Sequence, residues 1–312
     1  MPVRLPPVTE HASRILLEGI VDFAALFPPA AAAMPTAVRN YAHYRAGGSG
    51  WMLGRFVCSA STLEQFSAQA DPLLPRDAGA IPWRLSATAS GDVAADIDAI
   101  AAFNERHRVC FDECGAFVDS YEVKVATPDD VSRIDGAAPR DLLLYLEVAP
   151  ADATRLVPEI AARGRRAKLR TGGLTAEAFP RAEDIATFLQ TCIEYAVPAK
   201  ATAGLHHPLH GRYRLTYEDA APMGEMFGYL NVLMAAALLA QGEDARIAVH
   251  ALGESDPRTL TIDEFHLHWH SSAHEVALER ALLQQVRERV LVSFGSCSFT
   301  EPVDEIRAMG WI

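Results

Sequence analysis

Short runs of apolar and β-branched residues alternate along this chain with longer Ala-rich stretches whose apolar positions recur every three to four residues. Eight runs fit strands: Gly19–Ala24, Trp51–Ser59, Pro82–Thr88, Ser120–Ala126, Leu142–Val148, Arg166–Thr171, Pro198–Ala203 and Val290–Cys297. Helical patterns fit between them, among them Pro35–Arg45, Asp92–His107, Ala151–Arg163 and Ala182–Tyr195. Strands that alternate with helices imply a parallel sheet covered by helices. Eight of them point to an α/β fold closed as a (β/α)8 TIM barrel; the alternative is an open sheet with a helical appendage.

The rhythm breaks once, between residues 203 and 290, where an insertion at about 205–289 is expected to be helical. The patterns predict helices over Tyr217–Gln241 and Asp263–Glu288, a short strand near Ala245–His250, and a final helix within Pro302–Ile312. The apolar run Tyr229–Ala240 is too short to span a bilayer and is interrupted by Asn231, so it reads as a buried helix. Met223–Ala240 is also a candidate dimer face or lid, which leaves a homodimer open. With no linker or low-complexity tract, residues 1–312 read as a single domain.

Composition narrows the picture. With 312 residues, half of them hydrophobic, the chain can bury a large core. A net charge of −12 argues against nucleic acid or an anionic membrane as partner. The five cysteines, Cys58, Cys110, Cys114, Cys192 and Cys297, have no disulfide rhythm, and Met1–Pro7 offers no apolar signal core, so a reducing cytoplasm is expected. Cys110 and Cys114 lack a second pair and read as structural. There is no Walker loop and no Gly-x-Gly-x-x-Gly loop, and Gly47–Gly50 precedes a strand, so no cofactor is expected.

Within a barrel strand, residues alternate between the lumen and the surrounding helices. If Leu144 and Leu146 face helices, Tyr145 and Glu147 face the lumen. The same reasoning turns Glu122 and Lys124, Lys168 and Arg170, Lys200 and Thr202 inward, with Asp22, Arg55 and Arg84 on the first three strands. On the last strand Phe294 faces out and Cys297 in. Barrel lumens are normally filled by branched aliphatic residues, so this many charges point either to an ion-pair network or to a polar active site at the C-terminal strand ends. Six cations against three carboxylates, in a protein of opposite overall charge, suggest a small anionic substrate.

Lys168 and Lys200 lie on consecutive strands about 4.8 Å apart, close enough for two ammonium groups to repel. Repulsion would lower one pKa and leave a neutral amine able to attack a carbonyl; pairing of one lysine with Glu147 is the plainer alternative. The stretches Lys168-Leu-Arg-Thr171-Gly172 and Lys200-Ala-Thr-Ala-Gly204-Leu205 resemble the deoxyribose-phosphate aldolase type of class I aldolase over about 40 residues. The resemblance implies Lys168 as Schiff-base lysine, Lys200 as its neighbour, an acidic proton-relay residue near Glu122, and phosphate grips near Gly204 and Ser293–Ser296. Glu122 stands where that family has Asp, Leu205 stands where it has a second Gly, and the late insertion is foreign to it; a different substrate is implied.

His206 and His207 follow the seventh strand, where active-site loops belong, as acid–base groups or metal ligands or simply as polar loop residues. His266-Leu-His268-Trp-His270 alternates as metal ligands on a strand can, but Ser271–Glu275 reads as a helix start, and a surface cluster fits better. Cys297 is either a reactive thiol or a buried core residue, and Glu301 can add a carboxylate. The leading reading is a class I lyase without metal. Lys168 attacks the carbonyl, Lys200 tunes it, Glu122, Glu147 or His206 moves protons, and Arg55, Arg170, Lys124, Thr202, His207 and Cys297 bind substrate. A metal-dependent lyase or hydrolase using His206 or His207 with lumen carboxylates, and a non-catalytic barrel that binds a small acid, are the alternatives.

Overall fold

The computed structural model describes residues 11–77, 79–107 and 115–312; Cys110 and Cys114 lie outside them. The strands are β1 (Val21–Phe23), β2 (Leu53–Ser59), β3 (Trp83–Thr88), β4 (Ala116–Lys124), β5 (Leu143–Val148), β6 (Arg166–Arg170), β7 (Ala199–Thr202), β8 (Gly211–Arg214), β9 (Met223–Met226), β10 (Leu260–Ile262), β11 (His266–His270), β12 (Glu275–Glu279) and β13 (Leu291–Ser296). The helices are α1 (Ala12–Leu17), α2 (Met34–Ala46), α3 (Leu63–Ala70), α4 (Val93–His107), α5 (Pro128–Ala137), α6 (Ala153–Ala161), α7 (Ala182–Glu194), α8 (Tyr229–Gln241), α9 (Ala245–Leu252), α10 (Arg280–Arg289) and α11 (Thr300–Ala308).

Strands β1 to β7 and β13 close into one barrel, each paired in parallel with its neighbours. This is the (β/α)8 barrel that the alternation predicts, and all eight expected strands are present. The pleat sorts the side chains as anticipated. Leu144 and Leu146 are buried toward the helices, and Phe294 stacks on Tyr229 of α8 at 4.7 Å. Local chemistry fixes the helix ends: α5 begins with Pro128 in its first turn and a reciprocal Thr127–Asp130 capping box, and α8 stops at Gly242 in the left-handed conformation.

The insertion departs from the helical expectation. It begins with the β8–β9 hairpin, continues through α8 and α9, and then forms an antiparallel β10–β11–β12 sheet before α10. The expected Tyr217–Gln241 helix starts only at Tyr229, because Pro222 and Gly224 lie in its first half. The expected strand near Ala245–His250 is α9. Ser271–Glu275 is no helix start: Ser271 N–H donates to the His274 carbonyl at 2.9 Å in a turn between β11 and β12. Only Arg280–Arg289 of the expected second helix is helical.

Every residue of α8 from Tyr229 to Leu239 is buried within the chain, so this helix is neither an exposed dimer face nor a lid. Asn231 interrupts its apolar run for a reason. Its Oδ1 accepts from His210 N–H at 2.6 Å, while Nδ2 donates to the carbonyls of Ala251 (2.7 Å) and Glu254 (2.9 Å). One side chain thus ties the hairpin, α8 and the end of α9 together. Asn231→Leu keeps the volume but leaves three backbone groups without their partner, one of them fully buried, so it should destabilise the protein by about 2–4 kcal/mol. The expected readout is a lower urea midpoint; an unchanged midpoint would show that the amide is dispensable.

Candidate active site

The barrel lumen carries a chain of alternating charge. Lys200 Nζ donates to Asp22 Oδ2 at 2.9 Å and to Glu122 Oε1. Glu122 Oε2 then meets Lys168 Nζ at 2.9 Å, and Lys168 also reaches Glu147 Oε2 at 2.7 Å. Strand register makes this possible: Lys168 lies opposite Lys200 on β7 and opposite Glu147 on β5. The remaining acceptor positions are filled. Ser86 Oγ donates to Glu122, Ser120 Oγ donates to Ser86 at 2.7 Å, and both Ser293 Oγ and Arg55 N–H donate to Asp22 at 2.9 Å. Gly54 leaves room for the Asp22 carboxylate; a Cβ there would sit 2.5 Å from Asp22 Oδ1.

The two lysines therefore do not face each other as bare cations. Burial works against charge on Lys200, but Asp22 and Glu122 outweigh it and raise its pKa, so Lys200 is not a lysine that repulsion leaves neutral. Burial likewise works against charge on Glu122, and Lys200 and Lys168 outweigh it, holding its pKa well below the usual carboxylate range. Asp22 is lowered in the same way by Lys200 and Arg55.

Above this chain opens a cavity of about 340 Å³. Lys168 and Glu122 line its floor, with Arg170, Thr202 and Gly204 beside them. Phe27, Pro28 and Pro29, with a cis peptide between the prolines, form one wall. Thr171 and the two glycines shape the rim. Thr171 Oγ1 donates to the carbonyls of Thr202 and Ala203, and Gly204 takes a φ of +74°. A Cβ on Gly204 would also stand 2.7 Å from the Phe179 ring, which packs across Gly172 and Gly204.

The facing wall is built by the loops after β7 and β13 and by the insertion. His206 Nδ1 lies 3.2 Å from Glu301 Oε2 and 3.3 Å from Ser296 Oγ, and Cys297 Sγ lies 3.9 Å from both of its ring nitrogens. Tyr217 donates to Glu301 at 2.9 Å and sits 3.5 Å from Cys297 Sγ. Burial disfavours charge on His206, but Cys297 and Glu301 prevail and raise its pKa to about 9. His207 also lines the cavity; it stacks on Tyr213 and meets Glu305 at 2.6 Å.

The sequence-predicted residues divide. Lys168, Glu122, Arg170, Thr202, His206, His207 and Cys297 share the cavity, Glu147 and Lys200 support its floor, and Lys124 is exposed beyond it. Arg55 is not an anion ligand there. Near the other end of the barrel its guanidinium forms two hydrogen bonds with Asp119, at 2.6 and 2.9 Å, and Arg84 joins the same carboxylate. Sequence reasoning missed Asp119 because the fourth strand was begun at Ser120. It missed Tyr217 and Arg214, both cavity residues, because they were read at the edge of a helix that Pro222 rules out.

Asp263, His266 and His268 bring three possible metal-ligand atoms within 4.8 Å of one another, on the outer three-stranded sheet rather than in the cavity. No helix among the described residues is long and apolar enough to cross a membrane.

The sequence matches no model of a known protein family and no curated protein. Among solved structures, a deoxyribose phosphate aldolase from Aeropyrum pernix, described by its unique tetrameric structure, is similar at a TM-score of 0.36 and 11% identity, over 97% of this chain and 100% of that one. A closed eight-stranded barrel fits the aldolase-type resemblance carried by Lys168–Gly172 and Lys200–Gly204. The likeness to that neighbour carries no weight of its own at this TM-score.

Two outcomes follow. Lys200→Met leaves Asp22 without its cation and removes one of two from Glu122, so it should cost about 3–5 kcal/mol. Adding Asp22→Asn should recover part of that loss in urea unfolding; no recovery would mean that the ion chain is not what the substitution breaks. The raised pKa of His206 means that the folded state binds the imidazolium preferentially. That contribution is complete below about pH 6.5, the unperturbed value, and is lost as pH rises through about 9. The urea midpoint of the wild type should fall across this window more than that of His206→Asn; parallel curves would contradict a charged His206.

Proposed function

We propose that this protein is a Schiff-base lyase acting on a small carbonyl compound with an anionic group. The observation that carries this reading is Lys168 on the cavity floor, its Nζ held between Glu122 and Glu147. An amine attacking a carbonyl must shed its proton and later help to expel water, and two carboxylates within hydrogen-bond reach can take and return those protons. Lys200 and Asp22, buried beneath, fix the orientation of Glu122 rather than touching substrate. The Lys168 and Lys200 motifs that resemble class I aldolases support the same assignment.

In the proposed reaction Lys168 Nζ adds to the carbonyl carbon and water leaves, giving an iminium. The bond between its α and β carbons then breaks, the electron pair flowing into the iminium to give an enamine, while a base removes the proton of the β-hydroxyl, whose oxygen becomes the carbonyl of the departing fragment; protonation of the enamine and addition of water then free Lys168. His206, on the facing wall, and Glu122, on the floor, are the acid–base groups available. Arg170 lines the cavity and has no ion-pair partner among the described residues; with Arg214, 3.8 Å from exposed Asp219, it supplies the charge for an anionic substrate. Arg55, bound to Asp119, is replaced in that role.

The test is borohydride trapping with a panel of carbonyl acids and phosphorylated aldehydes, followed by peptide mapping. A reduced adduct on Lys168 is expected, together with loss of at least about 1000-fold in turnover for a folded Lys168→Arg protein. Turnover retained in that variant, or an adduct only at other lysines, would overturn the imine mechanism.

A further inference from the structure

The lysine chemistry leaves the facing wall only partly explained. That wall holds a thiol, an imidazole, a carboxylate and a phenol in mutual contact, and all four line the cavity. Cys297 follows the end of β13, Glu301 belongs to the first turn of α11, His206 follows β7, and Tyr217 comes from the insertion. Three separate segments converge here, the β13–α11 connection, the loop after β7 and the loop after β8, which a core cysteine filling space would not require.

We propose that Cys297 is a nucleophilic thiol of this cavity, with His206 as its proton acceptor and Glu301 as the group that positions His206. The hydrogen-bonding pattern assigns these roles. Cys297 Sγ lies 3.9 Å from both ring nitrogens, and because Glu301 and Ser296 already engage Nδ1, Nε2 is the nitrogen left to serve the sulfur. A base oriented through one ring nitrogen and facing a nucleophile through the other is the arrangement that activates Cys and Ser in unrelated hydrolases. The 3.9 Å separation is loose, as such contacts commonly are without ligand. Tyr217, donating to Glu301 and 3.5 Å from Sγ, places a second proton donor beside the same site.

The other free cysteines among the described residues provide the contrast. Cys58 and Cys192 are buried without a base, and burial pushes their pKa values up, that of Cys58 to about 12. Cys297 alone of the three lines the cavity.

The ligand class suited to such a thiol is a small aldehyde. Sulfur bonds to the carbonyl carbon, the carbon–oxygen π bond opens, and the proton that the thiol has given up to His206 passes, directly or through Tyr217, to the new hydroxyl oxygen. The product is a hemithioacetal, and no oxidant or reductant is needed. The aldehyde as target rests on the carbon–carbon lyase reading, in which one fragment leaves as an aldehyde; the reactivity of the thiol does not.

Iodoacetamide labelling of the folded protein, mapped by mass spectrometry, tests both parts. Cys297 should react at least about tenfold faster than Cys58 or Cys192, and its rate should persist at neutral pH. In His206→Asn the rate should drop about tenfold at pH 7 and rise steeply with pH, as that of a thiol without a base does. Labelling of Cys297 no faster than that of Cys58, or a pH profile unmoved by His206→Asn, would overturn the nucleophile assignment. In Lys168→Arg, which cannot form the imine there, glycolaldehyde should protect Cys297 and ethylene glycol should not. Equal protection by both, or by neither, would sink the aldehyde assignment while leaving the labelling result to decide the thiol. Wild-type trapping at Lys168 decides the lyase reading separately.

Discussion

A carboxylate held between two lysines organises the interior of this barrel. Glu122 reaches Lys200 with one oxygen and Lys168 with the other, and Asp22 and Glu147 close the chain at either end. Buried charge is tolerated only when it is paired and its remaining hydrogen-bonding positions are filled. Ser86, Ser293 and the Arg55 amide fill those positions, and Gly54 clears the space beside Asp22. Residues from β1, β2, β3, β4, β5, β6, β7 and β13 thus satisfy one network. A change of register on any of them would turn a charge toward the helices and leave its partner alone.

The two ends of the lumen serve different purposes. Toward the starts of β2 and β3, Arg55 and Arg84 converge on Asp119, so both guanidinium groups are already bound to a carboxylate at the end of the barrel away from the cavity. Toward the strand ends the polar groups open into the cavity, where Lys168 is held between Glu122 and Glu147 and Arg170 has no ion-pair partner among the described residues. This polarity is the one expected for the fold, in which loops after the strands carry chemistry and the opposite face carries stability.

Much of this was legible in the sequence because a strand's period of two is strict. Once Leu144 and Leu146 were turned toward helices, Tyr145 and Glu147 had to face inward, and the same logic found Glu122, Lys168 and Lys200. What periodicity does not convey is how inward residues choose partners. Lys168 and Lys200 looked like a repelling pair because register shows which strands are adjacent but not that Glu122 reaches in between from β4. Arg55 looked like an anion ligand because its true partner, Asp119, lies where the β3–β4 register shifts and outside the strand as first bounded. The insertion was hardest to read: His266, His268 and His270 do alternate by two, as β11 requires, but the run is only five residues long and precedes the helical pattern that ends in α10, so the expected helix extended over residues that pair as strands.

The insertion also explains how a second reactive centre is assembled on the wall opposite Lys168. Tyr217 and Arg214 come from the loop and hairpin that precede α8, a segment with little core of its own. It is placed by contacts behind the cavity: Asn231 takes the His210 amide, Tyr229 stacks on Phe294 of β13, and its hydroxyl donates to the Pro302 carbonyl in α11. The same β13–α11 connection carries Cys297 and Glu301. The buried helix therefore anchors both sides of the wall at once, so the distances among Tyr217, Cys297 and Glu301 are set by packing behind the cavity rather than by the loops that display them. Groups held from behind in this way keep their geometry without a ligand to organise them, which is what chemistry by a thiol and its base requires.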